Sequence, residues 1–527
     1  MKPSLFILPL LAVCAVQAEV LYPSSYTRVD IDSPTDFKIG TIGSRNYGDK
    51  LYAFVLETDL KLENDTSVTA LMNNGYIYIT SDTTAPVDFT ANELTVRVLD
   101  STKTGTSASK RTYQWTGLDN VTIIQNRVIS VSGSKSSTKD TRAVRGMLSG
   151  SGNYQAFSIS QNEGKITISD NIAENPVNNA LHVYGAAIAA TGQGSSITID
   201  GNAGGVTITN NRAQENAGST KIAAGGALYG YSGISVSENR GVVDLSANTA
   251  ESSYRAIGGL ATLQSSAFEV SENTEGVKID NNTAKSTKSE STYNWLADGG
   301  AISSYSSSSV GVKILDNQGG VSISDNKAIT SGAGASGGAM SVGYVDISGN
   351  KGELIIQNNY TESSLSMSSS LSSKGGAFYV IGSSASSGSA AAALRISDNE
   401  TVTISGNHAD TKAGSAAGGV VYGYGSLSKV DISGNGTVDI SGNYASGVSG
   451  AQGGAIYTSS GVFIEGNESV TLAGNYEKVT DAGTGVVTYR LCSIYQDNIS
   501  TSSNASQLEN SQFRLMAAKG NTIEIQD

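Results

Sequence analysis

From about residue 150 onward, apolar and polar residues alternate in short runs, and each run closes on an asparagine. Val206-Thr207-Ile208-Thr209-Asn210-Asn211 shows the unit. A period of two places Val206 and Ile208 on one side of a strand and the threonines on the other. The runs come in pairs: Ile197 to Asn202 precedes Val206 to Asn211, Ile234 to Asn239 precedes Val243 to Asn248, and Phe268 to Asn273 precedes Val277 to Asn282. Val312 to Asn317 pairs likewise with Val321 to Asn326. Later first halves end at Asn350, Asn399, Asn435 and Asn467. The second-half asparagines form one series: Asn171, Asn211, Asn248, Asn282, Asn326, Asn359, Asn407, Asn443 and Asn475.

A second motif alternates with these pairs. Gly-Gly-Ala followed by an apolar residue stands at Gly225, Gly299, Gly337, Gly375 and Gly453, with degenerate copies at Gly185, Gly258 and Gly418. The starts step by 40, 33, 41, 38, 38, 43 and 35 residues. A fixed unit with a variable period contains one elastic loop, here the Ser-, Ala- and Gly-rich stretch between the second asparagine and the next glycine pair. Each unit then offers three short strands, one after Gly-Gly-Ala and two ending in Asn. Such a unit cannot bury its apolar side alone, but stacked copies can. The pattern predicts an all-β chain, a right-handed parallel β-helix of stacked three-strand rungs about 4.8 Å apart.

Four segments follow. Residues 1–18 read as a signal peptide, 19–150 as an N-terminal β-rich cap, 151–475 as the β-helix repeats, and 476–527 as a C-terminal rung and edge segment. A cap is expected because the first rung exposes open strand edges and a bare core. Strand-like runs such as Leu51 to Leu56 and Tyr76 to Ile79 supply it, and Leu118 to Asn126 resembles a first, imperfect rung.

Asparagine suits a recurring corner for two reasons. Its amide both donates and accepts, so stacked copies can bond to one another. It also tolerates the left-handed backbone that a sharp corner needs. The glycine pair implies a bend or a close backbone approach. Tyr229, Tyr379, Tyr422 and Tyr457 follow the glycine pair at one offset, forming either a stacked structural column or an exposed aromatic strip for sugar or protein contact. As a strip, they are the candidate binding surface.

Composition sharpens the class. The 527 residues include 61 Gly and 6 Pro, with only 15% charged, and all six prolines lie at or before Pro176. A long proline-free stretch fits paired strands, which need every N–H. The net charge of −13 argues against nucleic acid, whose phosphates require clustered Lys and Arg. Lys2, the apolar run Leu5 to Val16 and Val16-Gln17-Ala18 make the signal peptide, with an apolar core too short to span a bilayer. A rival reading makes Cys14 a lipidated residue, although Val13 before it is larger than that box prefers. After cleavage Cys492 is the single cysteine, so no intramolecular disulfide forms.

Candidate chemistry is sparse. His182 and His408, the two histidines, lack a neighbouring acid and nucleophile at a suggestive spacing. Polysaccharide lyases and hydrolases also use parallel β-helices, but hydrolysis needs grouped carboxylates, and no Asp-Asp pair occurs. Asp170, Glu238, Glu272, Asp316, Asp325 and Asp398 each precede a ladder asparagine. They read as solvated acids at turns, the alternative being a carboxylate column that chelates calcium. The reading assigns no catalytic residue, no metal and no cofactor.

The repeated Gly-Gly-Ala-[Ile/Leu/Val] and the apolar-x-x-Asn of Ile347 to Asn350, Ile404 to Asn407 and Ile432 to Asn435 resemble the polymorphic outer membrane proteins of Chlamydia-like bacteria. The resemblance covers roughly residues 157 to 475, and the tail Phe513 to Asp527 is similar to the segment closing such a repeat block. Ile, Leu or Val replaces the family's Phe at nearly every site, and no series of long amphipathic strands precedes Asp527. The resemblance implies a secreted, surface-exposed passenger of an autotransporter, active in adhesion or surface presentation. Its expected partners are a host or neighbouring-cell surface protein or glycan, with the outer membrane reached through a missing C-terminal portion. The alternative function is a carbohydrate-active β-helix enzyme.

Overall fold

The computed structural model describes the strands between Thr27 and Ser160, residues 165–175, 182–216, 221–289, 296–305, 309–366, 371–382, 393–425 and 428–496, and the strand Phe513–Gln526. The expected signal peptide lies outside the described residues. Every described element is a strand.

One coil shows the plan. Ser196–Asp200, Val206–Thr209, Arg212–Glu215, Ile222–Ala224 and Leu228–Gly230 follow in order, and Ile234–Ser237 opens the next coil. Each strand pairs in parallel with its counterpart one coil on: Ile197 with Ile234, Val206 with Val243, Arg212 with Thr249, Ala223 with Ala256, Leu228 with Ala261. The chain is therefore a parallel β-helix built from five ladders, numbered here in chain order from the one that contains Ser196–Asp200. The three strands expected from sequence are the first, second and fifth. Two more lie between them, so the three-strand rung is corrected to five. The third ladder starts directly after the second asparagine, and the fourth ends at the glycine pair.

The extra strands escaped the pattern because their buried positions are mostly alanine and small polar residues such as Ser252, Ser286, Thr330 and Ser363. In the third ladder Ala213, Ala250, Ala284, Ala409 and Ala445 are buried, and in the fourth Ala223, Ala256, Ala416 and Ala451. These alanines pack against one another as small separate clusters. The first, second and fifth ladders instead share one continuous core of Ile, Val, Leu and Phe, such as Ile199, Ile208, Leu228, Phe268 and Phe378. Burying one such side chain contributes roughly 1.5–3 kcal/mol, so the three-ladder core supplies most of the apolar stabilisation. The third and fourth ladders form a thin arm beside it.

Glycine marks the neck where arm meets core. The first glycine of a pair has a left-handed backbone, as Gly225 with φ +67 shows. The second needs space instead. A methyl group on Gly338 would run into the carbonyl oxygen of Gly376 and come within 2.5 Å of the backbone nitrogen of Tyr360. Gly376, Gly419 and Gly454 stand in the same way against His408, Tyr444 and Tyr476. Each second glycine thus seats the first residue of a third-ladder strand.

The ladders extend beyond the repeat region. Thr27–Ile31, Tyr52–Leu56, Ile77–Ser81 and Arg111–Thr116 pair in parallel up to Gln155–Ser160, so strands of the expected cap already belong to the first ladder. At the other end Val462–Ala473 runs unbroken through the first and second ladders and pairs with Phe513–Gln526. The third ladder closes differently: Val487–Leu491 folds back antiparallel on Tyr476–Thr480.

Candidate contact surface

The asparagines form two buried columns. Along one, Asn211 Nδ2 donates to Asn248 Oδ1 at 3.0 Å and to the carbonyl of Ile168 at 2.9 Å, and the Asn211 backbone N–H donates to the same Asn248 oxygen. Amide-to-amide bonds of this kind run from Asn171 through Asn211, Asn248, Asn282, Asn326, Asn359, Asn407 and Asn443 to Asn475. The first-half asparagines make a parallel column from Asn202 to Asn467. Both columns are closed to solvent and serve the scaffold.

The left-handed corner residue is not the ladder asparagine but the residue before it. Asp170, Glu238, Glu272, Asp316, Asp325 and Asp398 have φ between 53 and 58, as do Asn210, Asn281 and Asn358. Gly201, Gly349, Gly406 and Gly434 take the same corner in other coils. The six acids therefore mark a backbone position, and they divide between two corners. Among the described residues, no three of His, Cys, Asp and Glu gather closely enough to hold a metal ion.

The four tyrosines of the candidate strip are buried. Tyr229 and Tyr379 are 3% exposed, Tyr457 6% and Tyr422 7%. Fifth-ladder strands are covered on both faces, by the main core on one side and the fourth ladder on the other. Tyr379, Tyr422 and Tyr457 stack with centroids 5.7 and 4.8 Å apart and pack with Ala417. Tyr229 packs with Ile222, Ala224 and Ile257. The exposed-strip expectation is corrected for all four.

Another aromatic column does reach solvent. Tyr360, His408, Tyr444 and Tyr476 each follow a ladder asparagine and open a strand of the third ladder. All four are half-buried on the outer face of the arm. Their rings stack at 4.9, 4.6 and 5.0 Å with planes within 8° of parallel. Lys327 Nζ stands 5.7 Å over the Tyr360 ring at one end, and Tyr489 meets Tyr476 edge-on at the other. Burial lowers the His408 imidazole pKa, against the Gly406 carbonyl and the carboxylates of Asp410 and Glu362. Burial, then Asp410 and Tyr476, push the Tyr444 phenol up to about 12. The column is thus uncharged at neutral pH. The signal for it was present in the sequence as Asn-Tyr or Asn-His at every late coil, but it gained meaning only once the following strand was known.

Beside the rings, a second outward column carries Glu362 and Asp410, register partners in neighbouring strands. Lys412 pairs with Glu362 at 2.5 Å. Toward the N-terminal coils the ring column is replaced by Lys327, Thr283, Thr249 and Arg212, and the second column by Ile329, Lys285, Glu251 and Gln214. Lys285 bonds Glu251 at 3.1 Å, and Arg212 also pairs with Glu251.

Of the remaining titratable candidates, His182 and Cys492 are half-buried and Asp298 is buried. The His182 imidazole is lowered to about 4, first by burial and then by Lys221 nearby, and its Nδ1 accepts the backbone N–H of Ile222 at 3.2 Å. Burial, then the Glu477 carboxylate, push the Cys492 thiol up to about 11. Between the fourth and fifth ladders, Arg255 donates to the buried Asp298 carboxylate at 2.8 Å. No family model, curated protein or solved structure matches this chain.

Proposed function

We propose that this chain is a secreted, surface-exposed β-helical passenger of an autotransporter-like outer membrane protein, acting in adhesion or surface presentation. The observation that carries the reading is the half-buried aromatic column Tyr360–His408–Tyr444–Tyr476 on the outer face of the arm. Aromatic residues that keep one edge wet are favoured at protein contact surfaces. A rigid ladder holds these rings in place, so little ordering entropy is lost when a partner docks. The apolar N-terminal run and the resemblance of the repeats support export, and partners on a host or neighbouring cell follow from it.

The test has two arms. Fractionation of native cells with an antibody to the repeats should place the chain at the outer surface; a product confined to the cytoplasm overturns the reading. Binding of the purified chain to target cells should fall at least tenfold in Y444A/Y476A, and unchanged binding removes the strip from the contact.

The carbohydrate-active alternative rests on one observation, the side-by-side carboxylates of Glu362 and Asp410 next to His408. Both are half-buried on the outer face, and Glu362 is held by Lys412. Cleavage of a polysaccharide panel that disappears in E362Q and D410N would favour the enzyme.

A further inference from the structure

The aromatic column presents ring edges rather than ring faces. With neighbours 4.6–5.0 Å apart and nearly parallel, each inner ring has both faces covered. A sugar that recognises an aromatic side chain by lying on its face finds those faces occupied. What remains is a row of ring edges and phenol oxygens that repeats at the coil spacing. A partner with the same spacing can meet every ring in register, and a second copy of this chain has it.

The outer face of the third ladder is also divided into complementary halves. The N-terminal half carries Arg212, Thr249, Thr283 and Lys327 in the ring column and Gln214, Glu251, Lys285 and Ile329 beside it, with Glu251 paired to both Arg212 and Lys285. The C-terminal half carries Tyr360, His408, Tyr444 and Tyr476, with Glu362, Asp410, Ser446 and Lys478 beside them. One half carries three cations and one carboxylate with small threonines; the other carries two carboxylates and one lysine with large rings. A two-fold axis in the plane of the contact, across the ladder between Lys327 and Tyr360, reverses coil order and keeps each column facing itself. It sets Lys327 on Tyr360, Thr283 against His408, Thr249 against Tyr444 and Arg212 on Tyr476. In the second column Lys285 then stands opposite Asp410, Glu362 opposite Ile329 and diagonal to Lys327, Glu251 opposite Ser446, and Gln214 opposite Lys478. Cations meet ring edges and phenol oxygens or carboxylates, and bulky rings meet the shorter threonines.

We infer that two copies of this chain associate antiparallel through the outer faces of their third ladders. The inference rests on that face being the contact surface of the proposed function, and it names the partner as a second copy. Such a two-fold contact is isologous and closes on itself as a dimer. Eight coils at about 4.8 Å make a strip only about 40 Å long and a few residues wide, so one pair is weak and association between surfaces gains from many pairs.

The test is sedimentation equilibrium of the purified chain across the micromolar to submillimolar range, about 1–500 µM, a span suited to a small interface. Wild type should form a dimer that weakens with salt. K285E/K327E and E362K/D410K should each be monomeric, because like charges then face each other. Mixed together, the two variants should associate again, since the acidic copy fits the basic one at both halves. That rescue also shows that both variants are folded. A wild type that stays monomeric throughout overturns the inference, as does dimerisation that neither reversal weakens. A monomer whose cell binding still depends on Tyr444 and Tyr476 would sink the self-association and keep the adhesion reading. A dimer found for a chain that is never exported would do the reverse.

Discussion

Asn211 and Asn248 are joined twice across one coil: the side-chain nitrogen and the backbone N–H of Asn211 both donate to the single side-chain oxygen of Asn248, each at 3.0 Å. Asn248 in turn donates to the carbonyl of Ile208 at 2.8 Å and to Asn282 at 3.1 Å. Every polar atom at this buried corner depends on its neighbours above and below. Asn248→Ala leaves the Asn211 donors and the Ile208 carbonyl without this partner. At about 1–3 kcal/mol for each buried group left unmet, the loss should reach about 3 kcal/mol. Asn248→Asp should cost at least as much, because it keeps the acceptors, removes the donors and buries a charge. Amide hydrogen exchange at the flanking coils reads the effect locally, as suits a fold in which each coil contacts its neighbours. Unchanged exchange at Asn211 would refute the account.

The corner before each asparagine gives a cleaner measurement. Ala247 holds φ 59, which a side chain disfavours, while Gly442 occupies the equivalent corner at φ 63 with open space where a Cβ would go. Ala247→Gly should stabilise by about 1 kcal/mol and Gly442→Ala should destabilise by about the same amount. Urea unfolding of both variants checks the pair, and equal signs would show that backbone strain is not what the two share.

Gly338 is a different kind of glycine. Its φ is not left-handed, yet an added methyl group has no room between Gly376 and Tyr360. Gly338→Ala should cost about 3 kcal/mol or more, since backbone must move on both sides. It should also displace Tyr360 and so weaken whatever the ring column binds, whereas Gly442→Ala should leave binding intact. Equal binding losses in the two variants would break the link between neck and strip.

His182 makes stability depend on pH. Its folded pKa of about 4 lies below the ordinary value of 6.5. The unfolded chain therefore binds the extra proton between these values, and stability rises with pH across that window. On acidification from pH 6.5 toward 4 the native state should lose up to about 3 kcal/mol through this residue. His182→Gln should flatten that part of the stability profile, measured by thermal unfolding at a series of pH values. A profile of unchanged slope would assign the dependence to other groups.

The repeat of Asn and Gly-Gly-Ala determines the coil without help from any other part of the chain, because a side chain that recurs once per coil stacks on itself. The same holds for the first and second ladders, whose Ile, Val and Leu mostly alternate with polar residues, and for the fifth, which the glycine pair marks. The tertiary structure decided what alternation could not show. The third and fourth ladders bury mainly alanine, serine and threonine, which carry too little apolar contrast to mark a strand. Tyr379, Tyr422 and Tyr457 share an offset from glycine, but the covering fourth ladder, invisible as a pattern, is what buries them. Tyr360, His408, Tyr444 and Tyr476 became a surface only when the strands they open were placed on the outside of the arm. Sequence specifies which residues stack, since stacking is set by the period; which stacks meet water is set by the sheets that pack across them.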